Sequence, residues 1–176
     1  NVGYHASKYM TEAGASLVGV AEREGSIYKK DGIDLESLMA FRNEKGSIMD
    51  FEGAINLPDK STVLTEPADI LIPAALENQI NEGNAKDVKV KILAEAANGP
   101  TSSEAHDILK EKGVLIIPDA YLNAGGVVVS YFEWLKNLQH VRFGRIEKRF
   151  DENALRNVLD AVENLSSIKF SDSERL

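Results

Sequence analysis

The sequence predicts an α/β fold, a mostly parallel sheet with helices on both faces. Four short apolar runs recur along the 176 residues. Helix-patterned or polar segments separate them. Two of the runs, Asp69–Ile72 and Val114–Ile117, close on prolines, Pro73 and Pro118. Short apolar strands alternating with helices are the pattern of a parallel sheet covered on both sides.

Taken in order, residues 6–10 begin a helical pattern that Gly14 ends, and Ser16–Ala21 is the first β-like run, closed by Glu22. Asp34–Lys45 reads as a helix: Asp34 can cap it, Leu35, Leu38, Met39 and Phe41 form the stripe, and Gly46 stops it. Asp50–Thr65, polar and carrying Gly53 and Pro58, reads as a connecting loop. Asp69–Ile72 and Val90–Ala94 are the second and third strands. Ser103–Lys112 is a short helix with Ser103 as its expected cap and Gly113 as its stop. Val114–Ile117 is the fourth strand. Tyr121–Leu138 is apolar on more than one face and is expected to be a buried helix. Glu152–Leu165 is expected to form a closing helix, with Leu155, Val158, Leu159, Val162 and Leu165 on one stripe. From Ser166 the chain turns polar, and a tail continuing in a longer protein is expected. Gly32, Gly46 and Gly53 are read as turns, and His106 and His140 as surface or interface residues.

Composition narrows function. The formal charge is −8, from 28 acidic and 20 basic residues. Nucleic-acid binders carry a basic stripe, so a polyanion-binding surface is not expected. No run of 18 or more apolar residues appears, so no membrane span is implied, and the first residues show no secretory signal. Cysteine is absent. That removes disulfides, thiol nucleophiles and cysteine-ligated metals, and no metal site is expected. A reduced intracellular compartment is compatible with this usage.

The first residues carry a second signal. Asn1-Val2-Gly3 runs straight into a helical pattern, and Glu22 follows Gly3 by 19 residues, at the end of a strand. In a dinucleotide-binding (Rossmann-like) unit a glycine turn opens a helix whose N-terminus holds the pyrophosphate. An acidic residue about 20 positions later takes the ribose hydroxyls. Gly3 would be the last glycine of that turn, and the first, central strand would lie before residue 1. Taken alone, the pattern reads as an ordinary helix start and a solvated glutamate.

More specific segments follow. Asp69-Ile70-Leu71-Ile72-Pro73-Ala74-Ala75, Glu95-Ala96-Ala97-Asn98-Gly99-Pro100-Thr101, Leu122-Asn123-Ala124-Gly125-Gly126-Val127 and Ser130-Tyr131-Phe132-Glu133-Trp134-Leu135-Lys136-Asn137 stand in this order. Together they resemble the coenzyme-binding half of the glutamate dehydrogenases, over nearly the whole chain. The stretch Val141–Leu165 is similar to the larger hexameric, antenna-bearing members, and no antenna is visible here.

The resemblance implies a truncated dinucleotide-binding domain over residues 1–150, with 151–176 leading toward a further C-terminal region. It implies NAD or NADP as coenzyme, held by Asn1, Val2, Gly3, Glu22, Arg23, Ala74, Ala75, Asn98 and Asn123. Glu22 suits the NAD ribose diol, whereas Arg23 suits a 2′-phosphate. The implied substrate pair is L-glutamate and 2-oxoglutarate with ammonia, met by Asn98, Asn123, Val127 and Ser130. On the residues alone, Asn98 reads as a turn asparagine and Ser130 as a helix serine bonding back to a carbonyl.

The implied reaction is oxidative deamination, with hydride passing from the substrate α-carbon to nicotinamide. The family's proton-handling lysine and aspartate come from a K-G-G-type turn and a P-A-P-D-type segment. Neither occurs here, so no catalytic residue is expected in this chain, and by itself it is expected to be inactive and to bind NAD weakly. A homohexamer and the mitochondrial matrix, with cytoplasm as the alternative, follow from the resemblance. His5, Lys8 and Tyr9 match part of a regulatory GTP site of animal members, but Thr11 and Glu12 replace basic residues, so GTP control is not expected. Ala96 stands for the usual glycine, Val128 for the usual threonine, and Ser102-Ser103 for the usual Thr-Pro. Alternative readings are a branched-chain or aromatic amino-acid dehydrogenase domain, and a non-catalytic nucleotide-binding or assembly module.

Overall fold

The structure is a computed structural model, and it describes residues 1–138 with 157, 159, 160 and 163. Two compact units divide it, Asn1–Gly125 and Gly126–Leu176. The first unit opens on α1 (Val2–Glu12) and contains two three-stranded sheets.

The first sheet joins β1 (Gly19–Glu22), β2 (Gly25–Tyr28) and β3 (Ile55–Leu57) in that order, all antiparallel. Glu22 pairs with Gly25, so β1 turns into β2 over Arg23 and Glu24. Helix α2 (Leu35–Lys45) connects β2 to β3 and closes the core of this sheet. Ile27, Ile33, Leu38, Ile48 and Phe51 are buried together there. The local signals for α2 act as expected. The Asp34 carboxylate accepts the Ser37 N–H at 2.7 Å, and Gly46 takes the left-handed φ of 75° that ends the helix. The stretch expected to be an irregular connection contains β3 and a 3₁₀ turn, Thr62–Thr65.

The second sheet is parallel: β4 (Ile70–Leu71), β5 (Ile92–Ala94), β6 (Leu115–Ile117), with β5 in the middle. Three of the four apolar runs thus form the expected parallel sheet. The other, at β1, pairs antiparallel with a strand the sequence did not announce. Helix α3 (Ser103–Glu111) packs across the parallel sheet through Ala105 and Leu109, both fully buried beside Leu93, Ile80, Ala85 and Val88. Burying a leucine side chain is worth roughly 1.5–3 kcal/mol, so this cluster dominates the stability of the sheet. The cap of α3 is Ser102, one residue earlier than expected: its hydroxyl accepts the Ala105 N–H at 3.2 Å. After α3, Lys112 reaches back across the turn before β5. Its Nζ donates to the carbonyls of Ala85, Lys86 and Val88 at 3.4, 2.6 and 2.7 Å.

Among the described residues the first sheet has β1 and β3 at its edges and the second has β4 and β6.

The expected helix over Tyr121–Leu138 is two helices, α4 (Asp119–Leu122) and α5 (Ala124–Leu138), parted at Asn123. It is also not buried. No residue of α5 is buried, and Val127, Phe132 and Trp134 are 75, 62 and 54% exposed. Apolarity on several faces signals a helix meant for cover, and the described residues do not supply it. No described helix is long and apolar enough to cross a membrane. The readings of Val141–Phe150, His140 and the tail from Ser166, and most of the expected closing helix, lie outside the described residues.

Glu24 at the β1–β2 turn gives a test of the first sheet. Burial raises its pKa, but its own N–H, the Ile48 N–H, the Ser47 hydroxyl and the Arg42 charge outweigh that and hold it below its ordinary 4.5. A depressed carboxylate stabilises the fold above its unfolded pKa and loses that contribution as pH falls through the folded value. Between about pH 5 and about pH 3 the full-length protein should therefore lose more stability than its E24Q variant. Denaturant melts across that range measure the difference, and parallel acid limbs would contradict it.

Candidate functional site

A parallel sheet delivers the carboxyl ends of its strands to one edge, where ligands bind in open α/β folds. Here those ends are Pro73–Ala75 after β4, Glu95–Gly99 after β5 and Pro118–Asn123 after β6. Hydrogen bonds tie them together. The Pro73 carbonyl accepts the N–H of Ala96 at 3.1 Å and of Ala97 at 2.9 Å. The Asn123 Nδ2 donates to the Ala97 carbonyl at 3.3 Å and to Asn98 Oδ1 at 2.7 Å. The structure thus brings together the two asparagines expected at the site. Their other amide atoms, Asn98 Nδ2 and Asn123 Oδ1, have no partner among the described residues.

Two residues beneath this pair were not singled out by sequence reasoning. The Glu95 carboxylate, in a residue only 7% exposed, accepts the Asp119 N–H at 3.1 Å. The Asp119 carboxylate accepts the Gly99 N–H at 2.8 Å and the Ala120 N–H at 2.6 Å. The only available signal was position: an acid ending a buried strand, and an acid opening a short helix after a proline. Gly99 takes a left-handed φ of 51°, which glycine adopts without strain. Ala96 has no positive φ, so that position does not need the glycine usual in the family resembled.

The expected phosphate end lies at the start of α1. A Cβ built on Gly3 would stand 3.7 Å from the Ala74 Cβ, so the helix N-terminus adjoins the end of β4. Asn1 is the cap residue, but its side chain makes no capping bond, and residues 1–5 are exposed. Ala75 is exposed and Ala74 half-buried. Glu22 ends β1 with its Oε1 3.5 Å from Arg42 Nε. That is proximity of charges rather than a directed hydrogen bond, since Arg42 Nε has no hydrogen-bond partner. Both side chains are about 40% exposed, so the pair is worth at most about 1 kcal/mol. Arg23 is exposed.

Ser130 and Val127 belong to the second unit. The Ser130 hydroxyl donates to the Gly126 carbonyl at 3.0 Å, the back-bonding of a helix serine. Val127 is largely exposed.

Three glycines have no reason among the described residues to be glycine. Gly3, Gly125 and Gly126 lie in helices at negative φ. A Cβ on Gly125 or Gly126 would meet nothing within 4 Å, and one on Gly3 only an ordinary contact. Glycine costs roughly 0.5–1 kcal/mol against alanine inside a helix. Bare backbone here suits close approach by a flat or phosphorylated ligand.

A parallel sheet with helices and a bonded amide pair at its carboxyl edge is a Rossmann-like α/β arrangement. The chain belongs to the Glutamate/Leucine/Phenylalanine/Valine dehydrogenase family, whose sequence model matches residues 1–171. It is 49% identical over 175 residues to the mitochondrial glutamate dehydrogenase of Dictyostelium discoideum, spanning 99% of this chain and 35% of that protein. The NADP-specific glutamate dehydrogenase A1 of Halobacterium salinarum is 42% identical over 166 residues, 94% of this chain and 39% of that one. Among solved structures, the hetero-hexameric glutamate dehydrogenase of Thermus thermophilus in its leucine-bound form superposes with a TM-score of 0.72. Its identity is 28%, over 93% of this chain and 38% of that chain. The chain therefore spans little more than a third of the relatives it matches.

Replacing Gly3, Gly125 or Gly126 with alanine in the full-length protein should leave stability unchanged or raise it by up to about 1 kcal/mol. Thermal melts check this. A loss of stability at any of the three would show that the fold itself requires the glycine.

Proposed function

We propose that the chain is the NAD(P)-binding domain of a glutamate dehydrogenase, and that the whole protein converts L-glutamate to 2-oxoglutarate and ammonia. The coenzyme-binding region is residues 1–150, and 151–176 lead into a further region. The observation that carries this reading is the Asn98–Asn123 pair. One amide locks the other, leaving one free donor and one free acceptor side by side at the carboxyl edge of the sheet. That is the complement of a primary carboxamide such as that of nicotinamide.

The remaining assignments follow the edge. The exposed N–H groups at Asn1, Val2 and Gly3 would take the pyrophosphate, favoured by the helix dipole. The small Ala74 and Ala75 would flank ribose. Glu22 would accept ribose hydroxyls, and Arg23 beside it would accommodate a 2′-phosphate, so both NAD and NADP suit the site. The Ser130 hydroxyl can leave the Gly126 carbonyl to meet a substrate carboxylate, and Val127 would be a further substrate contact. When bound, the coenzyme accepts a hydride from the substrate α-carbon. Proton handling falls to a lysine and an aspartate outside this chain. A hexamer in the mitochondrial matrix is the assembly and location that suit this reading.

Alanine at position 98 or 123 should raise the coenzyme KM of the full-length protein by about tenfold, the scale of one charged or well-placed hydrogen bond. Steady-state kinetics with glutamate and each coenzyme test it, and unchanged constants in both variants would remove the central support. The 176-residue chain alone should give no NADH or NADPH from glutamate. Steady turnover would place a proton-handling group in this chain after all.

A further inference from the structure

Asp119 joins the exits of β5 and β6, and each of its polar groups is used. Its N–H goes to buried Glu95, and its carboxylate takes the N–H groups of Gly99 and Ala120. Its carbonyl accepts the Asn123 N–H at 3.0 Å. The Asn123 side chain then closes on Asn98, the residue bonded to Gly99. The path is a closed ring: Asn98 to Gly99 by covalent bond, then Gly99 to Asp119, Asp119 to Asn123 and Asn123 to Asn98 by hydrogen bonds. Gly99, at φ 51°, is the flexible link of that ring. Holding its N–H removes the freedom through which the Asn98 amide would swing away.

We propose that Asp119 is a positioning residue that fixes the paired amides of Asn98 and Asn123 for the coenzyme, with buried Glu95 orienting Asp119 through its backbone N–H. The role rests on the dinucleotide-binding reading of the site. Both carboxylates are taken up by backbone N–H groups. Asp119 acts through Gly99 and Asn98, and preorganised donors and acceptors bind more tightly than ones ordered at the moment of binding.

The test uses the full-length protein with D119A, D119N, N98A and the double variant D119A/N98A. D119A should raise coenzyme KM about tenfold with a smaller change in kcat. D119N should restore KM to within about threefold, because its side-chain oxygen still accepts the Gly99 N–H. In the N98A background, D119A should add nothing further to coenzyme KM, as expected for two residues acting through one contact. A ligand-free readout accompanies these: amide hydrogen exchange at Gly99 should speed up about tenfold or more in D119A and recover in D119N. Wild-type constants in D119A, additive effects in the double variant or failure of D119N to rescue would overturn the proposal. So would unchanged Gly99 exchange, whatever the assays give. An N98A variant with normal coenzyme KM would instead overturn the reading of the site, and Gly99 exchange would still decide whether Asp119 holds the turn.

Discussion

Parallel strands must all be entered from the same end, so their exits crowd one edge of the sheet. In this molecule β5 lies between β4 and β6, and the loops leaving all three are joined by hydrogen bonds rather than by a packed side-chain core. Everything that distinguishes the candidate site depends on that convergence. The buried cluster around Leu93 and Leu109 fixes the strands from below. The bonds from Pro73, Asp119 and Asn123 then set the geometry of the rim.

Most local signals in the sequence are legible, and long-range ones are not. Helix α2 was legible because its start and stop, Asp34 and Gly46, act on their own neighbours. The strands of the parallel sheet were legible as apolar runs. β2 was not: Gly25-Ser26-Ile27-Tyr28 is short, and the Arg23-Glu24 turn before it lacks the Asn-Gly or Asp-Gly pair that usually marks a hairpin. The cap of α3 was misplaced by one because two serines stand together and only coordinates show which hydroxyl reaches Ala105.

The site shows the same division. Asn98 and Asn123 were picked from their segments through family resemblance, but nothing in the spacing said that one amide would grip the other. Asp119 lies 20 residues from Gly99 and 24 from Glu95, so its bonds depend on the sheet having formed. The burial of α5 was misjudged for a related reason. A stripe of apolar residues reports that a surface is to be covered, but not by which part of a protein. The glycines at 3, 125 and 126 invert the usual inference, because their backbone is ordinary and their surroundings open. No described residue accounts for them.

Lys112 carries a consequence of another kind. Its ammonium is received by three main-chain oxygens, those of residues 85, 86 and 88. Any amino acid supplies such an oxygen, so this contact places no demand on side-chain identity at the acceptors and concentrates the demand on one cation. Arginine is a poor replacement, since a planar fork does not converge on three carbonyls as a tetrahedral ammonium does. The contact constrains Lys112, while Ala85 and Val88 are constrained instead by the core in which they are buried.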